Sequence, residues 1–244
     1  MSASVKQKAL VILGFHKIGE PSAGGWDTWF YIPELQFQNQ LMHLQASGWE
    51  VVDLSTVLLG LERPDSLPQR SVLITFDDGY QSTLQVAAPV LGKFGYPAVV
   101  FVPTDFIGRS NDFDLNHEPR EPICTFNELL ELEQRGISVQ SHGSSHRRFS
   151  DLDLQEQETE LIGSRVMLES RLHTPVRLFS FPYGDSGHNQ DLASLMKRAG
   201  YQAACLYGGG PNAIPVSDPF RLTRLAMGPD TDLSHEFRHA ARGM

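Results

Sequence analysis

The sequence predicts an α/β protein with a parallel sheet, closed in the manner of a barrel. Strand-like apolar runs alternate with helix-like runs about seven times along the chain, the pattern of successive βα units. No long low-complexity segment divides them, so one domain is expected over residues 1–244. The polar residues able to carry chemistry, His16, Asp77, Asp78, His142 and Tyr183, fall at the C-terminal ends of the strand-like runs. That is the face at which barrels of this type build their sites.

The first run, KALVILGFH, reads as a buried strand ending at His16, followed by a loop rich in Gly, Pro and Trp, KIGEPSAGGWDTWFYIP. In PELQFQNQLMHLQASG, the apolar residues Leu35, Phe37, Leu41 and Leu44 recur near helical spacing, and Gly48 supplies the stop. WEVVDL and SVLITF read as the second and third strands, the latter running into TFDDG. QSTLQVAAPVLGKFG is expected to be a helix stopped by Gly95, and PAVVFVPTDF the next strand. TFNELLELEQRG opens on a capping-box pair, Thr125 and Glu128, and closes on Gly136. ISVQSH is a strand ending at His142, and DLQEQETELIGSRVMLESRL a long amphipathic helix. VRLFSFPYG, NQDLASLMKRAG and YQAACLY complete the series as strand, helix and strand.

Composition narrows the function. Hydrophobic residues make up 41% of the chain and charged residues 20%, enough apolar material for a sizeable core. A formal charge of -9, with no dense basic cluster to offset it, argues against nucleic acid or an anionic membrane as partner. No stretch approaches the roughly 18 apolar residues of a membrane span. The opening MSASVKQKALVILGFHKIG lacks a convincing signal-peptide core, so a cytoplasmic location is the expectation. Cys124 and Cys205 form no C-x-x-C pair and read as reduced thiols. Oligomeric state leaves no mark in the sequence.

The densest chemistry lies in SHGSSHRR. His142 and His146 stand four apart, a spacing that on a helical turn puts both imidazoles on one face, able to grip one divalent cation. Gly143 follows the first His, which excludes the zincin helix pattern. H-x-x-x-H alone arises often by chance, but TFDDG changes the reading. A cation held by two imidazoles wants a third ligand and an open position for water. A neighbouring carboxylate that does not bind the cation can then take the water's proton. The adjacent Asp77 and Asp78 fill both roles, in an order the residues alone leave open. FSFPYG adds a turn: Pro182 fixes its own φ and lacks an N–H, and Tyr183 presents a backbone N–H suited to an oxyanion.

Together, TFDDG, H-x-x-x-H and F-P-Y-G, in this order and at these distances, resemble the polysaccharide deacetylases of carbohydrate esterase family 4, the NodB homology domain. The resemblance covers roughly residues 10–228. It implies a distorted (β/α)7 barrel and metal-dependent hydrolysis of an acetyl group, mostly the N-acetyl of an amino sugar. It casts Asp77 as general base, Asp78, His142 and His146 as metal ligands, and Tyr183 as backbone oxyanion donor, with Pro182 beside it at the substrate.

Two departures refine the resemblance. Many members carry Arg before the x-Pro-Tyr step, where Ser180 stands here, and a late Leu-x-His whose His is the general acid, where RLTRLAMG has none. Both gaps resemble the poly-N-acetylglucosamine deacetylase subgroup, whose chain order is circularly permuted and whose acid His follows the first strand. His16 then becomes the acid, and Arg224 the replacement partner of Asp77. Trp26, Trp29 and Phe30, in the loop behind His16, suit stacking on a sugar ring as well as they suit core packing. His235 and His239, four apart in a terminal helix, form a rival pair without a carboxylate motif.

The expectation is a hydrolase acting on an N-acetylated sugar or glycan. Zn²⁺ is the first choice of cofactor, although two His and one carboxylate also suit Co²⁺, Mn²⁺, Fe²⁺ or Ni²⁺. Other acyl targets (a formyl group, an O-acetyl ester, a cyclic amide) stay open. A non-catalytic sugar-binding barrel is the rival class, but pure binding does not need a base beside a metal.

Overall fold

Apolar runs buried on both faces assemble edge to edge as parallel strands, because only covered strands can be apolar throughout. The computed structural model describes residues 8–115 and 117–242, with side chains to residue 237. The main strands are β1 (Lys8–Phe15), β2 (Arg70–Phe76), β3 (Ala98–Val102), β4 (Ile137–Ser141), β5 (Leu178–Ser180), β6 (Ala203–Cys205) and β7 (Leu225–Ala226). β1 to β6 lie side by side in chain order, all parallel. β7 pairs in parallel with β1 at Leu13 and Gly14. Just ahead of it, Leu222 makes a parallel bridge to Cys205 of β6. Residues 222–226 therefore join the last strand to the first and curl the sheet into a distorted barrel, as the alternating runs anticipated.

Side chains alternate faces along a strand, and the core divides accordingly. Leu10, Ile12, Leu73, Val99, Phe101, Leu178, Ala203 and Cys205 form an inner cluster. Val11, Leu13, Phe15, Val72, Ile74, Phe76, Val100, Val139 and Phe179 face outward into a second cluster shared with the helices. Those helices are α1 (Glu34–Ala46), α2 (Leu54–Glu62), α3 (Ala88–Phe94), α4 (Phe126–Gln134), α5 (Leu154–Leu172), α6 (Leu192–Arg198) and α7 (Leu233–Arg242). Among the described residues, no helix is long and apolar enough to cross a membrane.

Three local expectations need correction. WEVVDL yields only a two-residue strand, Glu50–Val51, paired outside the barrel order to β2. It stops because Asp53 turns the chain into α2, its carboxylate accepting from Thr56 N at 2.7 Å. The sequence reading passed over α2, whose Leu54, Val57 and Leu58 pack on the inner cluster. QSTLQVAAPVLGKFG is not one regular helix: Thr83–Ala87 winds as a π turn before α3. Pro89 has no N–H to donate back to Gln85, so the regular i→i−4 ladder is broken where the π turn meets α3.

Candidate active site

Register places the site. β1 and β2 are aligned through Phe15 and Phe76, so His16 and Asp77 leave the barrel on adjacent rungs, with Asp77 N donating to Phe15 O at 2.9 Å. β3 and β4 pair at Val102 and Ser141, and His142 N donates to Val102 O at 3.1 Å just beyond. Two consecutive carboxylates on a strand should point apart. Here the strand ends at Phe76, and Asp78 and Gly79 take φ of 68° and 70°. These two left-handed residues reverse the chain and bring both carboxylates into one cavity.

Asp78, His142 and His146 offer three ligand atoms within 4.8 Å of one another, all buried. On a helical turn the four-residue spacing would put both imidazoles on one face; here a loop over residues 143–146 does so instead, with φ of 78° at Gly143 and 58° at His146. His142 Nδ1 lies 2.7 Å from Ser180 O. A carbonyl only accepts, so Nδ1 carries the proton and Nε2 keeps its lone pair for the site. Asp78 Oδ1 is buried and accepts no hydrogen bond, although His146 Nε2 and His142 Nε2 stand 3.1 Å and 3.5 Å away. Burial pushes His146 down to about 4 and lowers His142 as well. Both imidazoles are therefore neutral near pH 7, the form that ligates. An orphaned carboxylate oxygen facing two neutral imidazoles fits a divalent cation.

Asp77 has a different partner. Arg224, fully buried, grips it bidentately, Nη1 to Oδ1 and Nη2 to Oδ2, both 2.7 Å. The remaining guanidinium donors go to Thr75 Oγ1 (3.2 Å), Ser180 Oγ (2.8 Å) and Leu206 O (2.7 Å), so every N–H is used. Ser180 thus leaves room for the guanidinium and accepts from it. Burial alone would raise the Asp77 carboxyl, but the Arg224 charge, then His142 and the Arg224 hydrogen bonds, hold it well below the usual range. His16 Nε2 lies 4.0 Å from Asp77 Oδ2. Its ring sits against Phe30 (4.6 Å) and Tyr207 (5.2 Å), and burial lowers its pKa.

His16, Asp77, Asp78, His142, His146 and Tyr183 line one cavity of about 430 Å³. Tyr183 has φ 57° and ψ 13°, and its hydroxyl donates to Asp114 Oδ1 at 3.0 Å. Pro182 is buried beneath that turn and does not line the cavity. Trp26 and Trp29 are exposed and lie outside the cavity lining, Trp29 Nε1 donating to Asp230 Oδ1 at 2.7 Å. Phe30 and Tyr207 supply the aromatic wall instead. His235 is on the surface away from this cavity, and the His239 side chain lies outside the described residues. Sequence reasoning also passed over the buried pair Lys17 and Glu118, 2.6 Å apart in the cavity wall. No motif joins two residues so distant in the chain.

Comparison with known proteins bears on this arrangement. A family model described as polysaccharide deacetylase matches residues 65–204. The Bacillus subtilis protein YxkH, whose name assigns it to the polysaccharide deacetylases, is 28% identical over 197 residues, 81% of this chain. The chain spans 64% of that relative's length. A poly-β-1,6-N-acetyl-D-glucosamine N-deacetylase of Staphylococcus epidermidis is 26% identical over 213 residues, 82% of this chain and 69% of the relative. Among solved structures, the Streptococcus pyogenes deacetylase PplD, in complex with acetate, superposes with a TM-score of 0.79 at 21% identity, covering 95% of this chain and 98% of its own. IcaB from Ammonifex degensii gives 0.77 at 22% identity, covering 96% of each. At these identities the superpositions establish the fold.

Proposed function

Because the chain belongs to the polysaccharide deacetylase family, we propose that it hydrolyses the acetyl amide of an N-acetylated amino sugar in a glycan, with a divalent cation held by Asp78, His142 and His146. The observation that carries the reading is one cavity holding two neutral imidazoles and a carboxylate oxygen as a donor set, beside a second carboxylate, Asp77, kept ionised by Arg224. The N-deacetylase named among the relatives supports an amino sugar as target.

When bound, the cation supplies a Lewis acid for the carbonyl and for a water molecule. Asp77 takes the proton of the attacking water. The Tyr183 backbone N–H meets the negative charge that develops on the carbonyl oxygen. Arg224 makes Asp77 a weak base, so the proton is readily released. His16, neutral at rest and 4.0 Å from Asp77 Oδ2, is placed to receive that proton and give it to the departing amine. Phe30 and Tyr207 shield the transfer from bulk water and offer apolar faces to the sugar. The reading is tested by carboxylate release with Zn²⁺ supplied: acetate from N-acetylglucosamine oligomers and O-acetylated glycans, formate from N-formylated sugars. Acetate from the N-acetyl substrates is expected, and its absence there, with or without release from the other two classes, would overturn the reading.

A further inference from the structure

We propose that Glu160, on α5 and outside the cavity lining, is the positioning residue that holds the loop between the two histidine ligands in its metal-binding shape. The inference deepens the reading of the metal site above and rests on it. The loop, Gly143–Ser145, belongs to no helix or strand, so its backbone groups must find partners elsewhere. Ser144 N and Ser145 N donate to Glu160 Oε2 at 2.6 and 3.0 Å, and the Ser145 hydroxyl donates to Oε1. On the other side, Gly143 O accepts from Thr104 N at 3.1 Å and Ser144 O from Asp105 N at 3.0 Å. Gly143 N donates to Ser141 Oγ at 3.1 Å. The loop is thus clamped between α5 and the segment after β3.

The carboxylate is placed where the helix would ordinarily be apolar. Gln157, Glu160 and Ser164 share one buried stripe of α5, the stripe that usually faces a core. Gln157 Nε2 donates to Phe149 O at 3.0 Å, and Ser164 Oγ lies 2.7 Å from Ser141 Oγ. The stripe therefore grips the chain on both sides of His142 and His146. A carboxylate accepts stronger hydrogen bonds than a neutral oxygen, and one carboxylate serves two successive N–H groups and a hydroxyl. The fit is close: a Cβ at residue 143 would meet Glu160 Oε2 at 2.9 Å. His146 sits at φ 58°, a state that non-glycine residues keep only when their surroundings hold them there. Glu160 is the anchor next to it.

The test measures metal affinity, not turnover. Zn²⁺ binding to the demetallated protein is followed by competition with a chromophoric chelator, and the Co²⁺ absorption spectrum reports the ligand geometry. Glu160→Gln should bind Zn²⁺ about 10- to 100-fold more weakly, the scale of lost supporting contacts, with an altered Co²⁺ spectrum. Ser145→Ala, which removes one of the contacts, should lose several-fold. Wild-type affinity and spectrum in a folded Glu160→Gln would overturn the proposal. Should that variant not fold, Ser145→Ala decides alone, and unchanged affinity there overturns it. A wild-type protein that binds neither Zn²⁺ nor Co²⁺ would sink the metal-site reading and this inference together. Binding by wild type and Glu160→Gln alike would sink only the inference.

Discussion

Asp77 and His16 divide the proton traffic in this account, and each predicts a different loss. Asp77→Asn should keep the cation, because its carboxylate binds Arg224 and not the donor set, but should lose about 10²-fold or more in rate. Near-normal turnover with full metal content would remove Asp77 from the chemistry. His16→Ala should lose amide hydrolysis by about 10²-fold or more, and much less on an ester with a good leaving group, which needs little protonation. Equal losses on both substrates would assign His16 to structure. At this scale the sequence was informative where chemistry is local. TFDDG, SHGSSH and FPYG each bring a lining residue to the one cavity within a few positions. Arg224 was legible only through a gap elsewhere, the Ser180 that leaves its place open. Glu160 and Glu118 were not legible, because a buried carboxylate on a helix or loop looks like a solvated one until its partners are known.

Turns decide whether the strands deliver their residues to one place. Gly79 follows Asp78 at φ 70°, and a Cβ there would meet Val102 Cγ2 at 3.0 Å. Gly79→Ala should therefore destabilise the protein by about 1–3 kcal/mol, the usual scale of a strained backbone state. Because the same turn aims both aspartates, it should also weaken Zn²⁺ binding. Urea denaturation and chelator competition read the two effects, and a variant unchanged in both would contradict the role given to the turn. Strand ends were well marked in the sequence, since the apolar runs stop abruptly at His16 and Asp77 and the alternating ISVQS stops at His142. α2 was missed because a short helix whose N-cap, Asp53, directly follows an apolar run reads as the end of a strand. β7 was missed because two residues show no periodicity. Its place is set by pairing with β1, a contact between the two ends of the chain.

Across the whole molecule, burial of titratable groups makes stability depend on pH. An unfolded chain protonates its histidines near 6.5, whereas His146 in the fold is pushed down to about 4 by burial, and His16 and His142 are lowered too. Between those values the unfolded state binds more protons, so stability must rise with pH across the window. The metal-free protein should lose urea resistance steadily from pH 7 to pH 5, and His146→Gln should flatten part of that slope. Asp77, whose folded pKa is depressed, adds stability that is lost only at lower pH, as its carboxylate protonates. A flat profile between pH 5 and 7 would contradict the buried, neutral state of the imidazoles. If Asp78, His142 and His146 hold a cation at which Asp77 and His16 cleave an N-acetyl amide, activity must follow the metal. The most direct test is acetate release from a β-1,6-linked N-acetylglucosamine oligomer, by chelator-treated protein before and after Zn²⁺ is restored, with Asp78→Ala in parallel. Release is expected only after Zn²⁺ is restored, and none from Asp78→Ala. Equal release with and without the metal, or full release by Asp78→Ala, would contradict that assignment.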